Sequence, residues 1–277
     1  MLKDAAGIKL NIEIHHPSYE SPVVFMLHGF TGSGEDWNEI ISFIGNKFTY
    51  VTVDMIGHGR SNSPAEVDYY RAEAISNQLY ELIKMFDGRK IAIVGYSMGG
   101  RAALTFAAVF PEMLNALVLE SATPGLTDDV ARLERRKTDE KLAAFIESHS
   151  IGEFVDKWMN QDLFKSQKKL KKEKLERLRQ LKMKNNPTGL ANTLRGFSTG
   201  VMPPLYDRLD QIKCPVLLIT GELDEKFSET NRKISHMFPI AEHVVIGNAG
   251  HNVHLERPKE FSMAVKDFLI NSLFKEP

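Results

Sequence analysis

The sequence predicts an α/β fold: a mostly parallel central sheet with helices on both faces and a helical insertion. Three observations carry this. Short apolar runs rich in β-branched residues, at 23–27, 50–53, 91–94, 116–119 and 216–219, alternate with segments long enough for helices. Such runs read as strands buried on both faces, and their alternation with helices implies a parallel sheet. Each run ends in glycine or polar residues, where parallel sheets bind ligands. From about 128 to 199 strand signals give way to charge-rich helical patterns.

In chain order, residues 8–14 alternate apolar and polar through Ile8, Leu10, Ile12 and Ile14, the pattern of a half-exposed edge strand. Little chain precedes 23–27, so the antiparallel edge is expected to be short. The run 23–27 enters His28-Gly29-Phe30-Thr31-Gly32-Ser33-Gly34, a glycine loop whose N–H groups can approach a ligand closely. The next helix holds Trp37 and stops near Gly45. Strand 50–53 leads into Asp54-Met55-Ile56-Gly57-His58-Gly59-Arg60-Ser61, and a helix from about 71 to 86 precedes strand 91–94. That strand runs into Gly95-Tyr96-Ser97-Met98-Gly99-Gly100, and 101–109 reads as an apolar helix. Strand 116–119 follows, then Ser121-Ala122-Thr123-Pro124-Gly125-Leu126. The expected organisation is a first part of the core at 1–126, a helical cap insertion at 127–205 and a second part of the core at 206–277. Strand 216–219 ends in Thr220-Gly221-Glu222-Leu223-Asp224, and 243–246 is the last buried strand, ending in Gly247-Asn248-Ala249-Gly250-His251. An amphipathic helix closes the chain at about 258–273.

The 277 residues suit one large domain or one domain with an insertion. A net charge of −1 gives no global field toward nucleic acid or membrane. The single cysteine, Cys214, excludes an internal disulfide and a cysteine metal centre. No long apolar segment follows Met1, so neither a secretory signal nor a membrane span is expected, and the cytoplasm is the expected compartment. The stretch 165–184 is strongly basic, but Leu170, Leu175, Leu178 and Leu181 give it an inward stripe and no aromatics interleave for stacking on single strands. A solvated helix face is therefore favoured over a nucleic-acid surface. No metal or cofactor is expected, and the expected partner is a small anionic substrate.

Small residues two before and two after Ser97 let the chain turn sharply from strand into helix, leaving the hydroxyl at the carboxyl edge of the sheet. A serine hydroxyl needs a base beside it, and the base needs a third group to orient it. Ser97, Asp224 and His251 end three separate strands in the chain order serine, acid, histidine. Among the rivals, His28 and His58 lie in glycine loops and are expected to hold backbone, and His254 is expected to be structural. Glu222 and Glu120 compete with Asp224, but a side chain from Glu120 would start inside the core. The backbone N–H groups of Phe30 and Met98 would form an oxyanion hole. Such a site can run ester hydrolysis, C–C cleavage or proton abstraction through an enolate, and the three residues alone do not choose. Arg101, one helical turn past Ser97, suits a carboxylate substrate. Arg132, Arg135, Arg136, Lys182, Arg195 and Lys226 offer further positive charge.

These residues resemble the α/β-hydrolase superfamily through 27–32, 54–61, 95–101 and Gly250-His251. More narrowly they resemble the 2-succinyl-6-hydroxy-2,4-cyclohexadiene-1-carboxylate synthases of menaquinone biosynthesis. That narrower likeness rests on Tyr96 before the serine and Arg101 after the glycines. It also rests on Pro124-Gly125-Leu126, Glu134-Arg135-Arg136 with Asp139, 154–158 with Leu163-Phe164, 186–200 and 221–227. The resemblance implies a lyase that removes pyruvate from a cyclohexene bearing an enolpyruvyl group. Ser97, with His251 and Asp224, would abstract a ring proton, and the oxyanion hole would hold charge on the succinyl carbonyl. Tyr96, Arg101, Arg135, Arg136, Trp158, Lys182 and Lys226 would bind substrate, with Lys182 standing where an arginine is expected. The competing expectation is a serine carboxylesterase or C–C bond hydrolase acting on a small acidic substrate.

Overall fold

The computed structural model describes residues 1–274. Its strands are β1 (Leu2–Ala5), β2 (Ile8–His15), β3 (Val23–Leu27), β4 (Thr49–Asp54), β5 (Ile91–Tyr96), β6 (Ala116–Glu120), β7 (Val216–Gly221) and β8 (Ala241–Ile246). They form one sheet in the order β1-β2-β4-β3-β5-β6-β7-β8. The β1–β2 and β2–β4 pairs are antiparallel, and the pairs from β4 through β8 are parallel.

Alternation along each buried strand feeds two cores, because successive side chains leave opposite faces. In β3, Val23, Phe25 and Leu27 join the core under α2 (Ala72–Lys84) and α3 (Met98–Val109). Val24 and Met26 join the other, under α1 (Asn38–Ile44) and the closing helix α10 (Pro258–Phe274). Every residue of β3 through β7 is buried, which is why these strands read as unbroken apolar runs.

Between β6 and β7 the described elements are all helical: α4 (Asp129–Ser148), α5 (Ile151–Met159), α6 (Lys172–Lys182) and α7 (Pro187–Phe197), with 3-10 segments at Asp162–Lys169 and Tyr206–Gln211. Their starts are written in the sequence. Asp128 accepts from the Ala131 N–H, Ser150 and Glu153 cap each other's backbone, and Asn186 accepts from Gly189 N–H just before Pro187. Phe154, Val155, Ala143, Ile146, Leu190, Ala191 and Leu194 form a small core of their own. On α6 most of the basic run is solvated, with Lys182 half-buried at its end and Leu178 the buried residue, and Lys174 and Lys184 pair with Glu39 and Glu35 of the sheet-bearing part. The helices α8 (Glu225–Ser235) and α9 (Val253–Glu256) follow β7 and β8. Among the described residues no helix is long and apolar enough to cross a membrane.

Two expectations change at the sheet edges. Residues 8–14 are not the outer strand, because β1 pairs outside them through a two-residue turn at Ala6 and Gly7, both with positive φ. Four residues are too few for alternation to reveal β1. At the other end β8 is not a buried strand: it is the sheet edge, half-buried, with Val245 49% exposed.

Candidate active site

Ser97 sits between β5 and α3 with φ 49° and ψ −102°. A non-glycine residue held there costs about 1–3 kcal/mol, and the surroundings hold it. Its N–H donates to the Glu120 carbonyl at 2.8 Å, and its carbonyl accepts from the Arg101 N–H at 3.0 Å. A Cβ on Gly99 would run into the backbone of Leu27 and His28, so the helix can approach the strands this closely only with glycine there.

The Ser97 Oγ lies 3.0 Å from His251 Nε2, and His251 Nδ1 lies 2.7 Å from an Asp224 carboxylate oxygen. Asp224 follows β7, and His251 follows β8 on a loop tied down by the Leu223 N–H to Ala249 carbonyl bond of 2.8 Å. The Glu256 carboxylate holds the same loop, accepting from the Gly250 N–H and from the Ser166 hydroxyl, both at 3.0 Å. His251 is 2% exposed and walled by the rings of Tyr96, Phe227 and Phe164. With Asp224 on one nitrogen and the hydroxyl on the other, the imidazole is oriented to take a proton from Ser97.

The rival residues are occupied elsewhere. Glu120 accepts from the His254 ring at 2.6 Å and from its backbone N–H at 3.0 Å, and the His254 ring stacks on Trp37. Glu222 accepts from the Asn248 N–H. His28 bridges the Gly29 carbonyl and the Met55 N–H, and His58 Nδ1 contacts the Ile56 carbonyl.

The Ser97 hydroxyl faces a cavity of about 210 Å³. Phe30, Tyr96, Met98 and Trp158 line it, with Arg101, Arg135 and Lys226 as its cations. The Met98 amide opens α3 and so has no intrahelical acceptor. The Arg101 guanidinium lies 4.9 Å over the Phe197 ring and donates to the Phe197 carbonyl and, at 3.5 Å, to Met202 Sδ. No carboxylate among the described residues pairs with it, and burial, helped by nearby Arg135, pulls its pKa down. Arg135 is matched by Asp139 at 2.7 Å.

Other predicted cations are not brought there. Arg136 donates to the Gly200 carbonyl and lines a separate hollow with Glu140 and Arg195, because it lies on the next position around α4. Arg195 is taken up by Glu140 and Glu147, and Arg132 by the carbonyls of Leu126, Val201 and Met202. Lys182 lines a smaller enclosed hollow behind Phe30 and donates to Thr31 Oγ1 at 2.8 Å. A more open cleft of about 650 Å³ between α6 and α1 contains no part of the Ser97–His251–Asp224 chain.

Sequence reasoning missed Ser121 and Ser198. Both hydroxyls are buried without a partner among the described residues, and both residues line the Ser97 cavity. Neither carries a periodic or motif signal. It also missed Asn185, whose side chain joins the Thr31 carbonyl to the Gly59 N–H.

Comparison with known proteins identifies the fold and the family. The model of the α/β hydrolase fold matches residues 22–258. The chain is 39% identical over 263 residues, 95% of either chain, to a Bacillus subtilis (strain 168) protein carrying the provisional name 2-succinyl-6-hydroxy-2,4-cyclohexadiene-1-carboxylate synthase. It is 32% identical over 247 residues to the Salmonella typhimurium protein of that name, covering 86% of this chain and 90% of that one. The solved structure of MenH from S. aureus superposes with a TM-score of 0.89 at 32% identity, covering 93% of this chain and 97% of that one.

Proposed function

Because the chain belongs to the α/β-hydrolase fold family and, within it, to the 2-succinyl-6-hydroxy-2,4-cyclohexadiene-1-carboxylate synthases, we propose a role for each residue of its site in that reaction. The chain is a carbon–oxygen lyase of menaquinone biosynthesis. It eliminates pyruvate from 2-succinyl-5-enolpyruvyl-6-hydroxy-3-cyclohexene-1-carboxylate to leave the cyclohexadiene.

The two structures dictate the electron movement. The ring carbon bearing the succinyl group loses its proton, and the pair moves onto the succinyl carbonyl oxygen. Its return forms one new ring double bond, shifts the old one, and breaks the C–O bond to the enolpyruvyl group. The leaving enolate takes up a proton and departs as pyruvate. Ser97 is the base in this reading: His251 holds the proton of the hydroxyl, and Asp224 steadies the imidazolium. The Phe30 and Met98 amides bind the oxyanion. Arg101, Lys226 and Arg135, the last held by Asp139, take carboxylates, and Tyr96 and Trp158 shape the wall. Ser121 and Ser198 are neutral donors to the same guest. Residues 127–205 act as a cap over the core, and the reaction takes place in the cytoplasm.

What chiefly supports these roles is one juxtaposition: a hydroxyl–imidazole–carboxylate chain opening on a cavity whose half-buried guanidinium has no carboxylate partner among the described residues. The test supplies the chemically prepared precursor and follows its ultraviolet change with pyruvate measured in parallel. Equimolar pyruvate and diene are expected, and Ser97→Ala must slow the release of both by at least about 100-fold. Pyruvate release by Ser97→Ala at the rate of the unaltered protein would overturn the assignment of the base.

A further inference from the structure

Thr31 stands one residue past the Phe30 amide and adopts φ 68°, a left-handed conformation that a β-branched residue avoids. It is 1% exposed. Its own loop closes a turn around it, from the Gly32 N–H to the Gly29 carbonyl at 2.9 Å. The bonds to Thr31 itself come from about 150 residues away in sequence, at the end of α6.

Lys182 Nζ donates to Thr31 Oγ1 at 2.8 Å, and Asn185 Nδ2 donates to the Thr31 carbonyl at 2.9 Å. Asn185 is itself fixed on three sides. Its amide nitrogen also reaches the Lys182 carbonyl at 3.0 Å, its oxygen accepts from the Gly59 N–H at 3.0 Å, and it is 5% exposed. The loop after β3, the loop after β4 and the end of α6 therefore meet on one amide. Lys182 is half-buried among Phe30, Tyr96, Phe164 and Leu178, with Asp36 the acid that favours its charge. An ammonium placed there is held for the one hydroxyl it reaches.

We propose that Asn185 and Lys182 are positioning residues: they hold Thr31 left-handed and thereby aim the Phe30 amide at the oxyanion. The inference rests on the reading of Phe30 as an oxyanion donor. Oxyanion donors act only if their direction is set before the reaction. A peptide next to a strained residue has a competing, relaxed orientation. The sequence writes no glycine at 31, so the conformation is imposed by contacts from α6.

Asn185→Asp keeps size and the acceptor for Gly59 but cannot donate to Thr31. Lys182→Met keeps length and removes the other donor. Both are expected to lower kcat by about 10- to 100-fold with KM within about 3-fold. Phenylboronic acid, which forms a tetrahedral adduct on a reactive serine with one oxygen in the oxyanion site, should bind each variant at least about 10-fold more weakly. Inhibition by succinate, which needs only the cationic wall, should not change. Adding Thr31→Gly to Asn185→Asp should return much of the lost kcat, because glycine adopts positive φ without strain. Three results overturn the proposal: phenylboronate affinity and kcat as in the unaltered protein, a parallel loss of succinate and phenylboronate affinity, or no recovery with Thr31→Gly. If the unaltered protein does not bind phenylboronate while it turns over substrate, the oxyanion reading itself fails, and this inference with it.

Discussion

The guanidinium of Arg101 is held by Phe197 on two sides: it lies 4.9 Å over the ring and donates to the carbonyl, with Met202 Sδ 3.5 Å away. Both partners are neutral. A half-buried cation satisfied only by neutral groups costs stability, and an incoming carboxylate offsets that cost. Arg101→Met should therefore leave the thermal midpoint unchanged or raised, while KM rises about 10- to 100-fold, the worth of a charge-assisted bond. Melting curves and steady-state kinetics check this. A large drop in melting temperature with KM untouched would make Arg101 a structural residue.

The 3.0 Å and 2.7 Å separations in the Ser97–His251–Asp224 chain already lie in hydrogen-bonding range. Ser97→Ala and His251→Ala are each expected to lower kcat by about 10²–10⁴-fold while KM moves little. Groups that act as one unit are not additive, so the double variant should be no worse than either single one. The readout is initial rate of pyruvate release for the four proteins. Multiplying losses would mean that the two side chains work separately.

Much of this architecture was legible because parallel strands buried on both faces and caps such as Ser150 with Glu153 leave marks within a few neighbouring residues. Gly95 to Gly99 likewise encode the turn at Ser97 locally. Roles that depend on distant partners were not legible. Arg136 and Lys182 look like Arg101 and Lys226 in composition, yet Arg136 faces Gly200 and Lys182 faces Thr31. Which cation reaches the cavity depends on how α4 and α6 are rotated against the sheet. The leucine stripe of the lysine-rich stretch tells which face of α6 turns inward, but not which loop its last turn meets. The same holds for Ser121 and Ser198, which become notable only when their hydroxyls are found buried and unpartnered.

His58 sets an acid limit on stability. Burial, with His28 beside it, pushes its pKa down to about 3, against an ordinary value of 6.5. Below pH 6.5 the unfolded chain takes up a proton that the folded chain refuses, so stability is full above that pH and is lost progressively toward pH 3. At pH 4.5 the loss amounts to about 2–3 kcal/mol, or roughly 5–10 °C in melting temperature. His28, also lowered by burial, acts in the same direction. His58→Leu should flatten the melting temperature between pH 7 and 4.5 relative to the unaltered protein. Parallel curves would show that His58 titrates normally in the fold.

Glu120 ties the two halves of the site from beneath. Its carbonyl accepts from the Ser97 N–H at 2.8 Å, and its carboxylate grips the His254 ring and backbone at 2.6 and 3.0 Å, three residues past His251. The carboxylate is fully buried and His254 nearly so. Removing one member leaves the other without its partner in the core, a loss of about 3–5 kcal/mol. Glu120→Met should lower the melting temperature by roughly 10 °C. The His251 loop should loosen with it, and kcat should fall even at temperatures where the protein stays folded. His254→Phe in the same chain removes the stranded ring nitrogen and restores a stack on Trp37, so the double variant should be more stable than the sum of the two single losses by about 1–3 kcal/mol. Thermal melts of the four proteins measure that difference directly. Strict additivity would mean that Glu120 and His254 contribute separately, and the loop carrying His251 would then owe its place to Glu256 and the Ala249 carbonyl alone.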